Sequence, residues 1–587
     1  MAILGYLMNI EMQEESINHN VPASLSSPNA AGQLPSLWLL ILVLPILLAL
    51  ISIAIKNWNV VFDDAFITYR YAHNLAMGYG ITWNPGYPPT EGYTNFLLVL
   101  ILAPAIWAGL DPLLFTRVLS FICAIAIATV LFTVARREYN CTTTVASMIA
   151  AMIFMVPATE VLCLVGLETV IYAFFLLVSF ISGIAFIGQK RTGLSILFSC
   201  LLFLTMLLRP EAALLYPVIS IAYIVSAAGK EFPLKPLIAG FLVLMVLGGI
   251  YLTWKQLHFG QLLPNPFYLK ASGHTFVSPD GLYSVTSFIK EYALLLFLAL
   301  LSPIIALAAG RPEQIRHKLV ALTASAFAVV YCLFFIHVDT LMDIYGRFLY
   351  PLVPLLIMLA TPILAKLLGY FESVPHYKTL ALPGLMVAML LAFAPADIFN
   401  LYGRANKLFT NPRLQVNESY MGKELQIAKK LARYPQIKNV RVAFADAGVM
   451  PYFSGAIWLD VVGLNDSFIA KTRNKKDLVN YFFIWSPDLV IHPGKVGISW
   501  LRVGHGRLGD YLSWSNDPRW DEYEYVGTSR MDDIPYDLQY FVKKSSQFRG
   551  TLESFLRANV VDGWYDPFPL PIGTYIPDGI PVTWWSR

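Results

Sequence analysis

Phe62 to Gly80 reads FDDAFITYRYAHNLAMGYG, and Trp83 to Phe96 reads WNPGYPPTEGYTNF. Two adjacent carboxylates, Asp63 and Asp64, open the first stretch, and aromatics, glycines and prolines fill the rest. Apolar runs stand on either side, Ser36 to Ile55 before it and Asn95 to Leu110 after it. An acid pair at such a place sits at a water–lipid boundary. Two readings follow from the residues alone. Asp before a helical run is a good N-cap, and a carboxylate beside a bound substrate can take a proton in general base catalysis.

The rest of the chain decides that lipid is the solvent. Of 587 residues, 57% are hydrophobic and 14% are charged, against about 25% charged in soluble domains. A formal charge of +4 gives no footprint for nucleic acid. Apolar stretches near the length that crosses a roughly 30 Å core recur at Leu113–Ala135, Thr144–Val156, Thr169–Ile187, Gly193–Leu208 and Ala212–Val225. They continue at Pro236–Leu252, Tyr292–Ala309, Leu319–Ile336, Phe348–Leu367 and Thr379–Ala394. With Ser36–Ile55 they predict an α-helical polytopic protein of about eleven spans. Residues 1–35 carry Glu11, Glu14 and Glu15 but no Lys or Arg, which does not fit a secretory signal; a disordered cytoplasmic lead is expected.

Basic residues fall in alternate connections: Arg136 and Arg137, Lys190 and Arg191, Lys230 and Lys235, Arg311, Arg316 and Lys318, then Lys366 and Lys378. By the positive-inside rule these loops are cytoplasmic. The loop 57–112 and residues 397–587 then lie outside. This assignment requires Asn95–Leu110, with Pro104 inside it, to lie along the interface or dip and return, not cross. Lys56 and the acidic amino terminus pull the first span the other way. From about Asp397 the composition changes, with strand-like runs VRVAFA (Val440–Ala445) and LVIH (Leu489–His492) separated by Gly448, Pro451, Gly455 and Gly463. A small extracytoplasmic α/β domain is expected there. Five cysteines, none spaced as a metal-binding set, read as buried thiols.

Several polar residues could carry chemistry. His73 and His337 offer hydrogen bonds to phosphate or sugar, although a lone histidine is commonly structural. Glu91, Tyr93 and Asn95 could shape the acceptor side, or merely anchor the loop at the interface. Arg209 and Glu211 could pair with each other, and Glu168 could cap a helix. No group is spaced as metal ligands. A divalent cation could sit at the acid pair, but nothing in the sequence requires a cofactor.

The string DDAFITYRYAHNLAMGYGITWNPG…EGYTNF resembles the first outer loop of bacterial GT-C glycosyltransferases, in particular the branch with the mycobacterial terminal arabinofuranosyltransferases. The resemblance continues in order through GLET (Gly166–Thr169), LRPEA (Leu208–Ala212), LPNPFYLK (Leu263–Lys270), RFLYPLVPLL (Arg347–Leu356), DAGVMPYFSG (Asp446–Gly455) and DVVGLND (Asp460–Asp466). It departs at VDTLMDIYGR (Val338–Arg347), where related sequences often carry Gly-Gly-Asp, so the role of Asp339 stays open.

The resemblance implies a GT-C fold and an inverting transfer of sugar from a polyprenyl-phosphate donor to a cell-envelope glycan or glycolipid, on the outer face of a bacterial plasma membrane. One of the two acids would be the base, Asp63 being slightly preferred. Arg347 and Lys270, with His337, would hold the donor phosphate, since arginine grips phosphate in a planar fork and lysine acts as a point charge; snorkelling toward headgroups is the plainer alternative. Arg70, His73, Glu91, Tyr93, Asn95, Glu168, Arg209, Glu211 and Tyr268 would line the substrates. The rival readings are a lipid-linked sugar transporter or flippase, and a noncatalytic envelope-assembly protein. A transporter would predict internal repeats and broken helices at mid-membrane, and no repeat is found.

Overall fold

The computed structural model describes residues 61–226, 233–270, 277–308, 315–340, 343–373, 422–472, 474–493, 517–531 and 537–562. The expected lead over 1–35 and the expected spans Ser36–Ile55 and Thr379–Ala394 lie outside these residues. The helices of the first part are α1 (Asp63–Ala76), α2 (Phe96–Trp107), α3 (Pro112–Glu138), α4 (Thr143–Met155), α5 (Pro157–Leu164), α6 (Thr169–Gln189) and α7 (Thr192–Leu208). They continue as α8 (Leu215–Ser226), α9 (Leu234–Phe259), α10 (Asn265–Lys270), α11 (Pro279–Glu291), α12 (Ala293–Ala308), α13 (Ile315–Ile336) and α14 (Val353–Ser373).

Local rules set the ends of these helices. Asp111 caps α3 by accepting from the Leu114 amide at 2.7 Å, Pro112 fills the first turn, and Arg136 and Arg137 occupy the last. Among the described residues, five helical stretches are long and apolar enough to cross a membrane, four within α3, α6, α9 and α13 and one running from Tyr350 into α14, and two bent pairs, α4–α5 at 60° and α11–α12 at 81°, raise the number to at most seven. The α4–α5 bend falls where Pro157 opens α5, a usual cause of a kink. Nine of the eleven expected spans fall on described residues, and these helices account for part of them. The runs at 193–208 and 212–225 become helices of 17 and 12 residues, the latter entered through a 3-10 turn over Pro210–Leu214. The twelve residues of α2 reach only about 18 Å, too short to cross, in keeping with the interfacial reading of Asn95–Leu110.

The connections sort by charge. Hydrogen bonds and ion pairs gather the start of α1, the end of α5, the starts of α6 and α14 and the ends of α7 and α13 at one end of the bundle. Lys190, Arg191, Lys318 and Lys366 lie at the opposite ends of α6, α7, α13 and α14, while Arg136 and Arg137 close α3 and Lys235 opens α9. A multi-pass membrane protein results, polar and partly acidic at one end and basic at the other.

The second part holds α15 (Gly422–Leu431), α16 (Val449–Ser454), α17 (Ser467–Lys471), α18 (Lys475–Trp485) and α19 (Arg549–Asn559) around five strands. These are β1 (Arg441–Phe444), β2 (Ile457–Asp460), β3 (Leu489–Pro493), β4 (Tyr523–Ser529) and β5 (Leu538–Lys543), in the order β2-β1-β3-β5-β4. β1 pairs in parallel with β2 (Val442 opposite Trp458) and β3 (Val442 opposite Leu489), while β5 runs antiparallel to β3 and β4. Both expected strands therefore lie in one α/β sheet, with the apolar residues of β1 buried at its centre.

Candidate active site

The site grows from the first turn of α1. Phe62 is its N-cap, with its amide donating to the Val165 carbonyl at 3.3 Å and no side-chain cap. Asp63 and Asp64 are thus the first two helical residues, not the cap. Neighbours on a helix point about 100° apart, and the two acids diverge. Asp63 turns toward the sheet unit, where its Oδ1 accepts from the Val449 amide at 2.7 Å. Asp64 turns toward the bundle, and its Oδ2 accepts from Arg347 Nη2 at 2.7 Å, with 30% of its side chain exposed against 7% for Arg347. Burial, then the Asp446 charge, hold the Asp63 carboxyl well above the usual carboxylate range, against the pull of the Val449 amide.

Arg347 is placed by a loop that turns left-handed twice, at Tyr345 (φ +56°) and Gly346 (φ +64°); the tyrosine costs about 1 kcal/mol or more there. Its guanidinium lies 5.3 Å from the Phe62 ring centroid and 5.0 Å from that of Phe348. Its Nε is buried and has no hydrogen-bond partner among the described residues. Phe348 also carries Arg209, at 5.1 Å, so two guanidinium groups flank one ring. Arg209 Nε pairs with Glu168 at 2.8 Å and Nη1 with Glu211 at 3.2 Å. Asn95 Nδ2 donates to the other Glu168 oxygen at 2.8 Å, and Thr68 Oγ1 donates to Asn95 at 3.0 Å. Asp64, Arg347, Arg209, Glu168, Glu211 and Asn95, dispersed over 284 positions of sequence, form one cluster.

The geometry changes several expectations. Glu168 occupies the N-cap position of α6 without capping it, because Arg209 and Asn95 take its oxygens. Arg209 pairs with Glu211 as expected, but its shorter contact is to Glu168. Arg70 is buried, and its guanidinium is consumed by the carbonyls of Trp83, Pro451 and Ala456 and by the Asn84 side chain, so it faces protein, not substrate. Glu91 is buried 2.8 Å from Lys255 Nζ, and burial pushes its carboxyl up to about 7 despite that cation. Tyr93 is buried against Tyr71, with ring centroids 4.7 Å apart. His73 packs its ring 6.1 Å from Tyr452. His337 Nδ1 lies 2.7 Å from the Leu333 carbonyl. Tyr268 is capped by Lys471 at 5.0 Å. Lys270 ends α10, and its side chain lies outside the described residues. Asp339 accepts from Ser278 Oγ at 2.6 Å, holding the α13 end to the start of α11. The two acids of the pair point to different partners, and no group of three or more metal-type side chains occurs among the described residues.

Sequence reasoning did not single out Lys255, Phe62 or Phe348. Lys255 stands three residues past the apolar run Pro236–Leu252, within the last turns of α9; nothing in the sequence points to the two rings.

Residues 413–544 match a family described only as a domain of unknown function, DUF8728. No curated protein matches the chain in sequence. Among solved structures the chain is similar to ArnT from Cupriavidus metallidurans bound to undecaprenyl phosphate, at 13% identity and a TM-score of 0.52, covering 87% of this chain and 99% of that one. It shares that protein's fold. The apo state of ArnT aligns at 13% identity with a TM-score of 0.49 over 86% and 99% of the two chains. The archaeal oligosaccharyltransferase AglB from Archaeoglobus fulgidus, in complex with an inhibitory peptide and a dolichol-phosphate, aligns at 12% and 0.48 over 87% and 74%. Only the first likeness exceeds 0.5, and at that identity it speaks to the fold. The GT-C scaffold implied by the sequence motifs is supported at that level.

Proposed function

We propose that this protein is an inverting glycosyltransferase that moves a sugar from a polyprenyl phosphate to a hydroxyl of a cell-envelope glycan or glycolipid. The observation that carries the reading is the pairing of Asp64 with Arg347. A partly exposed carboxylate meets a guanidinium whose remaining buried donor is unfilled, at the polar end of a bundle with the ArnT fold. Asp64 accepts the proton from the attacking hydroxyl as its oxygen bonds to the anomeric carbon. The bond from that carbon to the phosphate oxygen breaks on the opposite side, and polyprenyl phosphate leaves. Arg347, stacked on Phe62 and Phe348, supplies fixed positive charge to the departing phosphate. Arg209 adds a second cation across the Phe348 ring. We favour Asp64 over Asp63 as the base because Asp63 is buried and accepts from the Val449 amide, whereas Asp64 is partly exposed.

The sorting of basic ends supports an orientation with the site and residues 397–587 extracytoplasmic and the Arg136, Lys190 and Lys366 ends in the cytoplasm. The order of motifs supports the arabinofuranosyltransferase-like branch, with the carrier lipid entering from the bilayer beside Arg347. The test is a purified-protein assay against a panel of polyprenyl-phosphate sugars. Transfer by the wild type, lost by at least about a hundredfold in Asp64→Asn, is expected. Full activity in Asp64→Asn, or no transfer from any donor by correctly folded wild type, removes the reading.

A further inference from the structure

One face of α1 belongs wholly to the sheet unit. Residues 63, 66, 70 and 73 recur at three and four positions, which is one stripe of a helix. Asp63 meets the Val449 amide. Phe66 packs against Tyr452 and Phe453 with tilted rings, centroids 5.4 and 5.3 Å apart. Arg70 donates to the carbonyls of Pro451 and Ala456, and His73 packs on Tyr452. The loop after α1 joins the same surface. Asn84 exchanges two bonds with the Trp458 backbone, at 2.9 and 3.0 Å. Tyr71 and Thr90 donate to Asn465 at 3.1 and 3.0 Å. Two close approaches leave no room for a side chain. A Cβ on Gly448 would overlap the Asp63 carbonyl and carboxylate, and a Cβ on Gly92 would overlap the Asn465 amide. Asp64 stands about one residue step, 100°, off this stripe.

We infer that Asp63 is a positioning residue: with residues 448–456 it sets the roll of α1 about its own axis, and so fixes where Asp64 meets Arg347. The inference rests on the function proposed above. A helix two turns past its start is anchored at four points along one face, so its rotation is decided by the sheet unit and not by the membrane bundle alone. Among the described residues, the Asp64 side chain is held by Arg347. The sheet unit is therefore a wall of the active site as well as a neighbour of it.

Three variants test this, measured as initial rates with donor and acceptor varied, alongside a thermal melt in detergent. Asp63→Asn keeps an oxygen for the Val449 amide and should retain kcat within about threefold. Asp63→Ala removes it and should lower kcat by about ten- to a hundredfold, the range for a misplacement near 1 Å, with the donor KM little changed. Gly448→Ala, which pushes the strap off Asp63, should reproduce the Asp63→Ala loss in kcat without touching either acid. An Asp63→Asn enzyme as inactive as Asp64→Asn overturns the inference, since Asp63 would then be the base. So does a Gly448→Ala or Asp63→Ala enzyme that melts as the wild type and turns over at its rate. If Asp63→Ala does not fold, Asp63→Asn and Gly448→Ala still decide. Wild-type protein inactive with every donor is a distinct result, and refutes the proposed function instead.

Discussion

Replacing Arg347 probes the chemistry most directly. In Arg347→Ala the Asp64 carboxylate loses a 2.7 Å partner, and both Phe62 and Phe348 lose a cation about 5 Å from their centroids. A charge-assisted hydrogen bond contributes about 1.5–3 kcal/mol, and each cation–aromatic contact about 0.5–2 kcal/mol, the upper figure for a desolvated pair. Because Asp64 is 30% exposed, solvent re-hydrates it in the mutant, and the cost in fold stability should stay near the lower end, about 2–3 kcal/mol. The loss in catalysis is separate and larger. Removing a preorganised donor from a developing anion costs about 2.7–4 kcal/mol, or 10²–10³ in kcat. Arg347→Lys keeps the charge but surrenders the planar fork that reaches Asp64 and a phosphate together, so about a tenfold loss is expected. The assay is single-donor initial rate in detergent or nanodisc, with the melt recorded on the same samples. Arg347→Ala turning over within about threefold of the wild type, where 1.4 kcal/mol is already tenfold, would refute the assignment of Arg347 to the leaving phosphate.

Other consequences follow from the buried ion pairs. Lys255→Met leaves Glu91 buried without its cation and should destabilise by about 3–5 kcal/mol, while Glu91→Gln should cost less; equal melts for the two would argue against the pair. Burial raises Glu91 from 4.5 to about 7, so its contribution to stability is fully present below pH 4.5 and is lost as pH rises through 7. The wild-type melting temperature should therefore fall across that window relative to Glu91→Gln, and parallel profiles would contradict this. Arg209→Met leaves Glu168 without its paired cation, with only the more distant Arg347 charge still acting on it, and should reduce both folding yield and transfer, read by size-exclusion recovery and rate. Cysteine labelling at position 87, an exposed tyrosine of the first loop, should occur from outside intact cells; labelling only after permeabilisation reverses the orientation.

The long apolar helices were legible because lipid demands length: α3, α6, α9, α13 and α14 coincide with stretches read from hydropathy alone. Less legible was how the shorter runs are shaped, because hydropathy does not announce a bend. The α4–α5 and α11–α12 pairs reach a spanning length only when joined across their bends, and α5 and α11, which read PATEVLCL and PDGLYSVTSFIKE, carry polar residues that hydropathy sets apart from the neighbouring runs. In the site, the motif order brought out Asp64, Arg347, Arg209, Glu168 and Asn95. It could not say which side of a helix faces substrate. Arg70 and Glu91 looked like ligand contacts because both are charged and lie in the same motifs, but each is consumed by a partner distant in sequence, 381 positions away for Arg70 and Pro451. Long-range pairing of that kind leaves no periodic trace.

The segment that holds α1 falls inside residues 413–544, the part matched to a domain of unknown function. Its polar residues explain themselves once the contacts are seen. Asp460 is buried and accepts from the amides of Val462, Gly463 and Asn465 and from the Asn465 side chain. Asn465, fixed in this way, receives Tyr71 and Thr90. The carboxylate in DVVGLND thus shapes a turn, and the turn grips the loop that bears the acid pair. A module built only to bind an acceptor would spend its buried polar groups around a cavity of its own. Here Asn465 and the backbone at Val449, Pro451, Ala456 and Trp458 face α1 and the Trp83–Asn84 turn, across an interface with close glycine contacts on both sides. Such an interface resists sliding, because neither Gly448 nor Gly92 has space to yield. Acceptor binding to this unit would then be felt at Asp64 through a rigid contact, and the chemistry and the sheet unit should fail together when that contact is cut.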